Sequence, residues 1–178
     1  MPEIEIRPFH QADLPDLMTI QLDYLSSRVW QFNRAAGDGD VGGVFREARL
    51  PREARIEYPR TVREIFSGHG QDVYLAALLD GAAVGYLRLS DQVAPRTVWA
   101  KDLAVRADLR RRGIGAALLL AGLDWTAEGG FHRMVVEMQS KNAPAVALVR
   151  KLGFEFCGYH DQFYSNQDIA LFFTRPVK

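Results

Sequence analysis

The chain has 178 residues, 48% hydrophobic and 25% charged, the balance of a globular protein able to bury a sizeable core as one domain over residues 1–178. Its 22 lysines and arginines equal its 22 aspartates and glutamates, which gives no support to a nucleic-acid partner or a polybasic membrane surface. The single cysteine, Cys157, excludes an internal disulfide, a cysteine-based zinc site and a CxxC redox pair. The opening residues lack the basic-then-apolar pattern of a signal peptide. No apolar run approaches the roughly 18 residues of a bilayer span, so a cytoplasmic location is expected.

Ile4 and Ile6 alternate with polar neighbours as in a short strand. From Ala12 to Val29, Leu14, Leu17, Met18, Leu22 and Leu25 recur at helical spacing, and Pro15 suits a first turn, which predicts a helix starting near Asp13. Residues 33–43, rich in Gly and Asp, are expected to form a loop. Residues 46–64 alternate six arginines with four glutamates. This reads either as a self-neutralising solvated face or as a wall that recognises a charged substrate, with Pro51 and Pro59 breaking any continuous helix. Thr61 to Ser67 suits a short helix. Val73–Leu79 and Ala83–Leu89 flank Asp80-Gly81, the signal of a type I′ hairpin.

Val98–Val105 is the next strand, followed by a helix over Gly113–Glu128 that ends at Gly129-Gly130. Met134–Met138 reads as a strand. Asn142–Leu152 reads as a helix with Asn142 as N-cap, Pro144 in the first turn and Gly153 at the stop. Phe154–Tyr159 and Ile169–Thr174 close the chain as strands around a polar loop, Gln162–Asp168. This order predicts an α+β (mixed α/β) domain with a central sheet.

Between the strand at 98–105 and the helix at 113 lies Arg110-Arg111-Arg112-Gly113-Ile114-Gly115. Backbone N–H groups at a helix start, the positive dipole end and two small residues make an anion site suited to a pyrophosphate. No Gly-x-x-x-x-Gly-Lys-Ser/Thr string occurs, so a nucleoside-triphosphate P-loop is excluded. The dinucleotide fingerprint fails at its third position, where Leu118 would obstruct helix–strand packing.

Arg110-x-x-Gly113-x-Gly115 resembles the coenzyme A signature of the GNAT N-acetyltransferase superfamily, Arg/Gln-x-x-Gly-x-Gly/Ala. Asp102-Leu103-Ala104-Val105 is similar to that family's central strand. Asn142-x-x-Ala145-x-x-Leu148 followed by Leu152-Gly153-Phe154 is similar to its second motif, and Ile4–Pro8 with Ala12-Asp13 to its opening. The closing stretch from Cys157-Gly158-Tyr159 to Asp168–Phe173 resembles the ends of streptothricin-acetyltransferase-like members. The resemblance implies a GNAT-type fold: a central, mostly antiparallel twisted sheet of about seven strands flanked by about four helices. It also implies acetyl transfer from acetyl-coenzyme A to a primary amine without a metal.

On that resemblance, Arg110, Arg111, Arg112, Gly113, Ile114, Gly115 and Ala116 face the pyrophosphate. The backbone of Leu103, Ala104 and Val105 pairs with the amide-bearing arm as an added strand would, and supplies an oxyanion donor. Asn142 bonds the coenzyme near that arm or simply caps its helix. Many members carry a general-acid tyrosine where this chain has Val149, which leaves Tyr159 and Tyr164 as stand-ins. Glu137, on an apolar strand, is the first candidate base, Asp102 the second, with His132 and His160 behind them; Met138, Gln139 and Ser140 are candidates to line the acceptor cleft. The acceptor is expected to be a small molecule rather than a protein. The sequence leaves open a homodimer, and a non-catalytic coenzyme A-binding module with the same fold.

Overall fold

The computed structural model describes residues 4–35, 37–39, 41–67 and 71–178. In chain order its elements are β1 (Ile4–Pro8), α1 (Leu14–Leu17), β2 (Tyr24–Arg34), β3 (Gly43–Ile56), α2 (Val62–Phe66), β4 (Val73–Leu79), β5 (Ala82–Ala94), β6 (Thr97–Val105), α3 (Ile114–Glu128), β7 (Arg133–Gln139), α4 (Ala143–Lys151), β8 (Glu155–His160) and β9 (Ala170–Pro176). Seven strands form one sheet in the order β1-β4-β5-β6-β7-β9-β8, and β2 and β3 form a separate two-stranded ribbon. Every pair in the large sheet is antiparallel except β6–β7. That exception follows from connectivity: α3 carries the chain from β6 back to the start of β7, as a parallel crossover requires. The expected α+β fold with a mostly antiparallel seven-stranded sheet and four helices is what the chain adopts.

Leu118 and Leu119 of α3 and Val146 and Val149 of α4 are fully buried against Leu87, Leu89, Val98, Met134 and Val136 of the sheet. On the opposite face a smaller cluster joins Leu17, Ile20 and Ile65 to Tyr86 and Ala104. The β4–β5 hairpin turns on Asp80 and Gly81, both at positive φ (51° and 83°), as the Asp-Gly pair predicts. Among the described residues, no helix is long and apolar enough to cross a membrane.

The helix expected from Ala12 to Val29 is the main correction. A 3₁₀ turn at Gln11–Asp13 leads into a single helical turn, and the chain then enters β2. Tyr24 and Ser26 are buried while Leu25 between them is 55% exposed, so the periodicity there is two rather than 3.6. Backbone pairing with β3, from Tyr24↔Ile56 to Arg34↔Gly43, outweighs the helical spacing of the leucines. The register slips between Ser26↔Ala54 and Arg28↔Arg49, and the extra residues of β3 include Pro51, which has no N–H to pair. The charged 46–56 stretch is therefore a largely exposed strand, with Arg28 and Glu47 paired across the ribbon at 2.9 Å. The loop expected over 33–43 narrows to the segment joining β2 to β3, where residues 36 and 40 lie outside the described residues.

Candidate active site

The parallel register of β6 and β7 runs from Thr97↔Arg133 to Ala100↔Val136 and stops. β6 continues to Val105 paired only with β5, and β7 continues to Gln139 paired only with β9. Residues 101–105 and 137–139 thus present facing edges with no strand between them. In a parallel pair this gap lies at the carboxyl ends of the strands, where open α/β sheets bind ligands.

A bulge prepares β6 for the gap. Its register with β5 jumps from Leu89↔Ala100 to Arg88↔Asp102, leaving Lys101 as an extra residue. Before the bulge, Val98 and Ala100 pack in the core with α3; after it, Leu103 and Val105 take that side and Ala104 joins the opposite cluster. Asp102 is thereby turned to the face that also carries Glu137.

At the helix end of the gap, Arg111 and Gly113 both take positive φ (66° and 91°), and α3 starts at Ile114. Ala117 is the first residue there whose N–H bonds to a carbonyl, that of Gly113. The N–H groups of residues 111–116 find no acceptor among the described residues. Six free N–H groups at the start of a 15-residue helix form the anion cradle that the Gly-spaced turn predicts. A Cβ on Gly115 would lie 3.4 Å from Leu148 and 3.8 Å from Leu103, so a small residue there lets α3 sit closely on α4 and β6.

The three arginines divide. Arg110 spends its guanidinium on the carbonyls of Val105 (3.0 Å), Asp23 (2.7 Å) and Gln21, which ties the cradle to the segment leading into β2. Arg111 and Arg112 are exposed. Asn142 caps α4 by accepting from the Ala145 N–H at 3.0 Å, and its amide NH₂ makes no bond among the described residues.

At the other end of the gap, Asp102 and Glu137 are 2% and 8% exposed. Arg60, from segment 57–61 between β3 and α2, reaches both. Its Nη1 donates to Asp102 Oδ1 (3.0 Å) and to the Lys101 carbonyl (3.2 Å), and its Nη2 to Glu137 Oε1 (2.7 Å). Tyr58 Oη donates to Asp102 Oδ1 at 2.7 Å, and Arg88 bridges Asp102 Oδ2 (3.3 Å) to Asp72 (2.7 Å). Burial pushes the Glu137 carboxyl above the usual carboxylate range, with Arg60 pulling the other way. Tyr164 is buried with the Arg60 guanidinium 5.3 Å above its ring; burial, reinforced by the Glu137 carboxylate beside it, pushes its phenol well up and keeps it protonated. A cavity of about 350 Å³ opens here, lined by Arg60, Glu64, Arg88, Phe163, Tyr164 and their neighbours.

Of the candidates read from the sequence, Glu137, Asp102 and Tyr164 come together. Tyr159 does not join them: it packs against Phe32 and Phe45, with ring centroids at 4.6 and 5.1 Å, and helps to seat the ribbon. His132 faces Arg96 at 3.2 Å, and His160 is exposed. Met138 belongs to the core. Gln139 is buried and bonded to Tyr24 (2.9 Å), Asp168 (2.7 Å) and the Glu57 carbonyl (3.2 Å), while the Ser140 carbonyl accepts from Trp30 N–H at 2.9 Å. These two residues bind the ribbon over the end of β7. Val149 is buried in the core, so no side chain on α4 supplies a phenol at that position. Arg60, Tyr58 and Arg88 were not singled out by the sequence. Arg60 entered there only as one of the six arginines of the 46–64 stretch, read either as a solvated face or as a wall for a charged substrate. Among the described residues, no group of three or more His, Cys, Asp or Glu could hold a metal ion.

Residues 43–154 match the model of the acetyltransferase (GNAT) family. The chain is 29% identical over 107 residues to a streptothricin acetyltransferase of Streptomyces lavendulae, covering 58% of this chain and 57% of that protein, so it spans little more than half of that relative. It is 29% identical over 160 residues to an L-methionine sulfoximine/L-methionine sulfone acetyltransferase of Pseudomonas paraeruginosa, covering 88% of this chain and 83% of the other. A Bacillus anthracis structure described as a streptothricin acetyltransferase, in complex with acetyl coenzyme A, shares the fold with a TM-score of 0.78 at 18% identity, over 98% of this chain and 99% of that one.

Proposed function

Since the chain belongs to the acetyltransferase (GNAT) family, we propose that it takes acetyl-coenzyme A as its acetyl donor and acetylates the primary amine of a small molecule by direct transfer in the gap between β6 and β7. One observation carries this reading: the parted strand edges have a cradle of free N–H groups at one end and a buried carboxylate pair at the other.

The residues present fit the coenzyme. The N–H groups of 111–116, with Arg111 and Arg112, receive the pyrophosphate, and the backbone of Leu103–Val105 pairs with the amide-bearing arm through the groups left beside the Val105 carbonyl, which Arg110 holds. The Asn142 amide is free to add a bond to that arm. Arg110 contributes by fixing the cradle. Bound acetyl-coenzyme A supplies an activated thioester. The amine nitrogen attacks its carbonyl carbon, and an N–H near Leu103–Ala104 stabilises the oxyanion. A carbon–nitrogen bond forms, the carbon–sulfur bond breaks, and Glu137 takes the proton lost by nitrogen. The Tyr164 phenol gives a proton to the leaving sulfur and regains one from solvent.

A small acceptor is supported by the size of the cavity. The two relatives, whose names specify streptothricin and methionine sulfoximine, support the same class. The unpaired Cys157 fits a cytoplasmic setting. The acceptor class is tested by offering acetyl-coenzyme A with a panel of small primary amines and of peptides with free N-termini. Small amines are expected to show kcat/KM at least about tenfold above the peptides, a difference of roughly 1.4 kcal/mol in transition-state binding. The reverse order would overturn it.

A further inference from the structure

Asp102 and Glu137 sit on strands with buried side chains, but the cation between them does not come from a regular element. Arg60 belongs to segment 57–61, its side chain is 23% exposed, and it lines the cavity. Its guanidinium bonds both carboxylates at 3.0 and 2.7 Å and lies over the Tyr164 ring. Two buried carboxylates and an aromatic face form a cation site, and Arg60 occupies it.

The proposed reaction needs the same place. An amine whose proton goes to Glu137 must come within hydrogen-bond reach of an oxygen that Arg60 now holds. Taken together, Arg60, Arg88 and Lys101 offset Asp72, Asp102 and Glu137, so removing Arg60 leaves one uncompensated negative charge. An acceptor entering as its ammonium restores the balance; Glu137 takes its first proton and releases it to solvent before nitrogen attacks, and takes the second as the carbon–nitrogen bond forms. Resting on the acetyltransferase reading above, the geometry points to Arg60 as a resident counter-ion that a cationic acceptor displaces, which makes it the residue that sets the site's demand for a positively charged amine. The strands hold the carboxylates in place whichever cation is bound. The backbone of segment 57–61 is held through the Glu57 carbonyl, Tyr58 and the Thr61 cap, so Arg60 leaves by turning its own side chain into the cavity it lines.

The test is binding of propylammonium and methylguanidinium to the wild-type chain and to Arg60→Ala, with acetyl-coenzyme A omitted. In Arg60→Ala both cations raise the melting temperature and compete for one site. In the wild type propylammonium binds at least about tenfold more weakly, because a tethered rival fills the site more than nine-tenths of the time. The acceptor KM of Arg60→Ala falls by a similar factor, and methylguanidinium inhibits acetylation competitively. If the KM instead rises or stays the same, and methylguanidinium restores activity, Arg60 positions Glu137 and the displacement is overturned. Should Arg60→Ala fail to fold, Arg60→Lys carries the test. A single ammonium spans the two carboxylates poorly, so propylammonium binding tightens in that variant, and unchanged binding contradicts the proposal. None of the binding steps needs turnover. Tight cation binding without acetyl transfer would therefore count against the proposed function and leave the role of Arg60 standing.

Discussion

Replacing Glu137 with glutamine is expected to lower kcat by roughly 10²- to 10³-fold, the usual contribution of a positioned base, while acetyl-coenzyme A binds as before. The amide is close in shape to the carboxyl and remains buried, and the residue lies at the far end of the gap from the N–H cradle. The pH profile separates the two ionisations. Glu137 works deprotonated, and burial raises its pKa, so wild-type kcat rises with pH as that raised pKa is passed and then levels. In the glutamine variant this limb disappears, and only the limb set by the amine itself, near pH 10 for an alkyl ammonium, remains. Rates measured from about pH 5 to 9 check it; a variant with the wild-type profile would remove Glu137 as the base.

Gly113→Glu is expected to weaken acetyl-coenzyme A binding by about 100-fold or more, equivalent to roughly 3 kcal/mol, because a carboxylate takes the place meant for the pyrophosphate. A Cβ at Gly113 meets no atom within 4 Å, so the change does not overpack the fold. Its φ of 91° is unfavourable for any side chain and costs about 1 kcal/mol, which is why Gly113→Ala is the control. Alanine carries the backbone strain without the charge and should lose only a few-fold in affinity by calorimetric titration. Equal losses in both variants would mean that backbone shape, and not the anion site, governs binding.

The features legible in the sequence are those encoded by neighbours. Asp80-Gly81 encodes a positive-φ turn, Asn142 and Gly153 encode the two ends of α4, and the Gly-spaced basic turn encodes a helix start with free N–H groups. The β2–β3 ribbon was not legible. Much of it is exposed on both faces, so it shows no apolar alternation, while Leu22 and Leu25 happen to continue the spacing of Leu14 and Leu17. Arg60 was not legible either, because its partners lie 42 and 77 residues away and meet it only where β6 and β7 part. Tyr159 and Tyr164 are five residues apart. Strand β8 carries the first toward the ribbon, and the loop closed by Gln167 N–H on the Tyr164 carbonyl (2.8 Å) turns the second under Arg60. Arg110 is in the signature, yet the carbonyls of Gln21 and Asp23 that claim it are nearly ninety residues earlier.

On the proposed function, the gap between β6 and β7 both holds the coenzyme and passes on its acetyl group. The most direct measurement follows thiol release from acetyl-coenzyme A by the wild-type chain, with and without small primary amines, in samples whose coenzyme binding is titrated in parallel. The wild-type chain is expected to bind the coenzyme saturably, to release thiol slowly without an amine, and to release it at a rate that rises and saturates with amine concentration, in step with formation of the acetylated amine. Saturable binding with no amine-dependent release would contradict that function, and would identify the fold here as a coenzyme A-binding module that does not transfer.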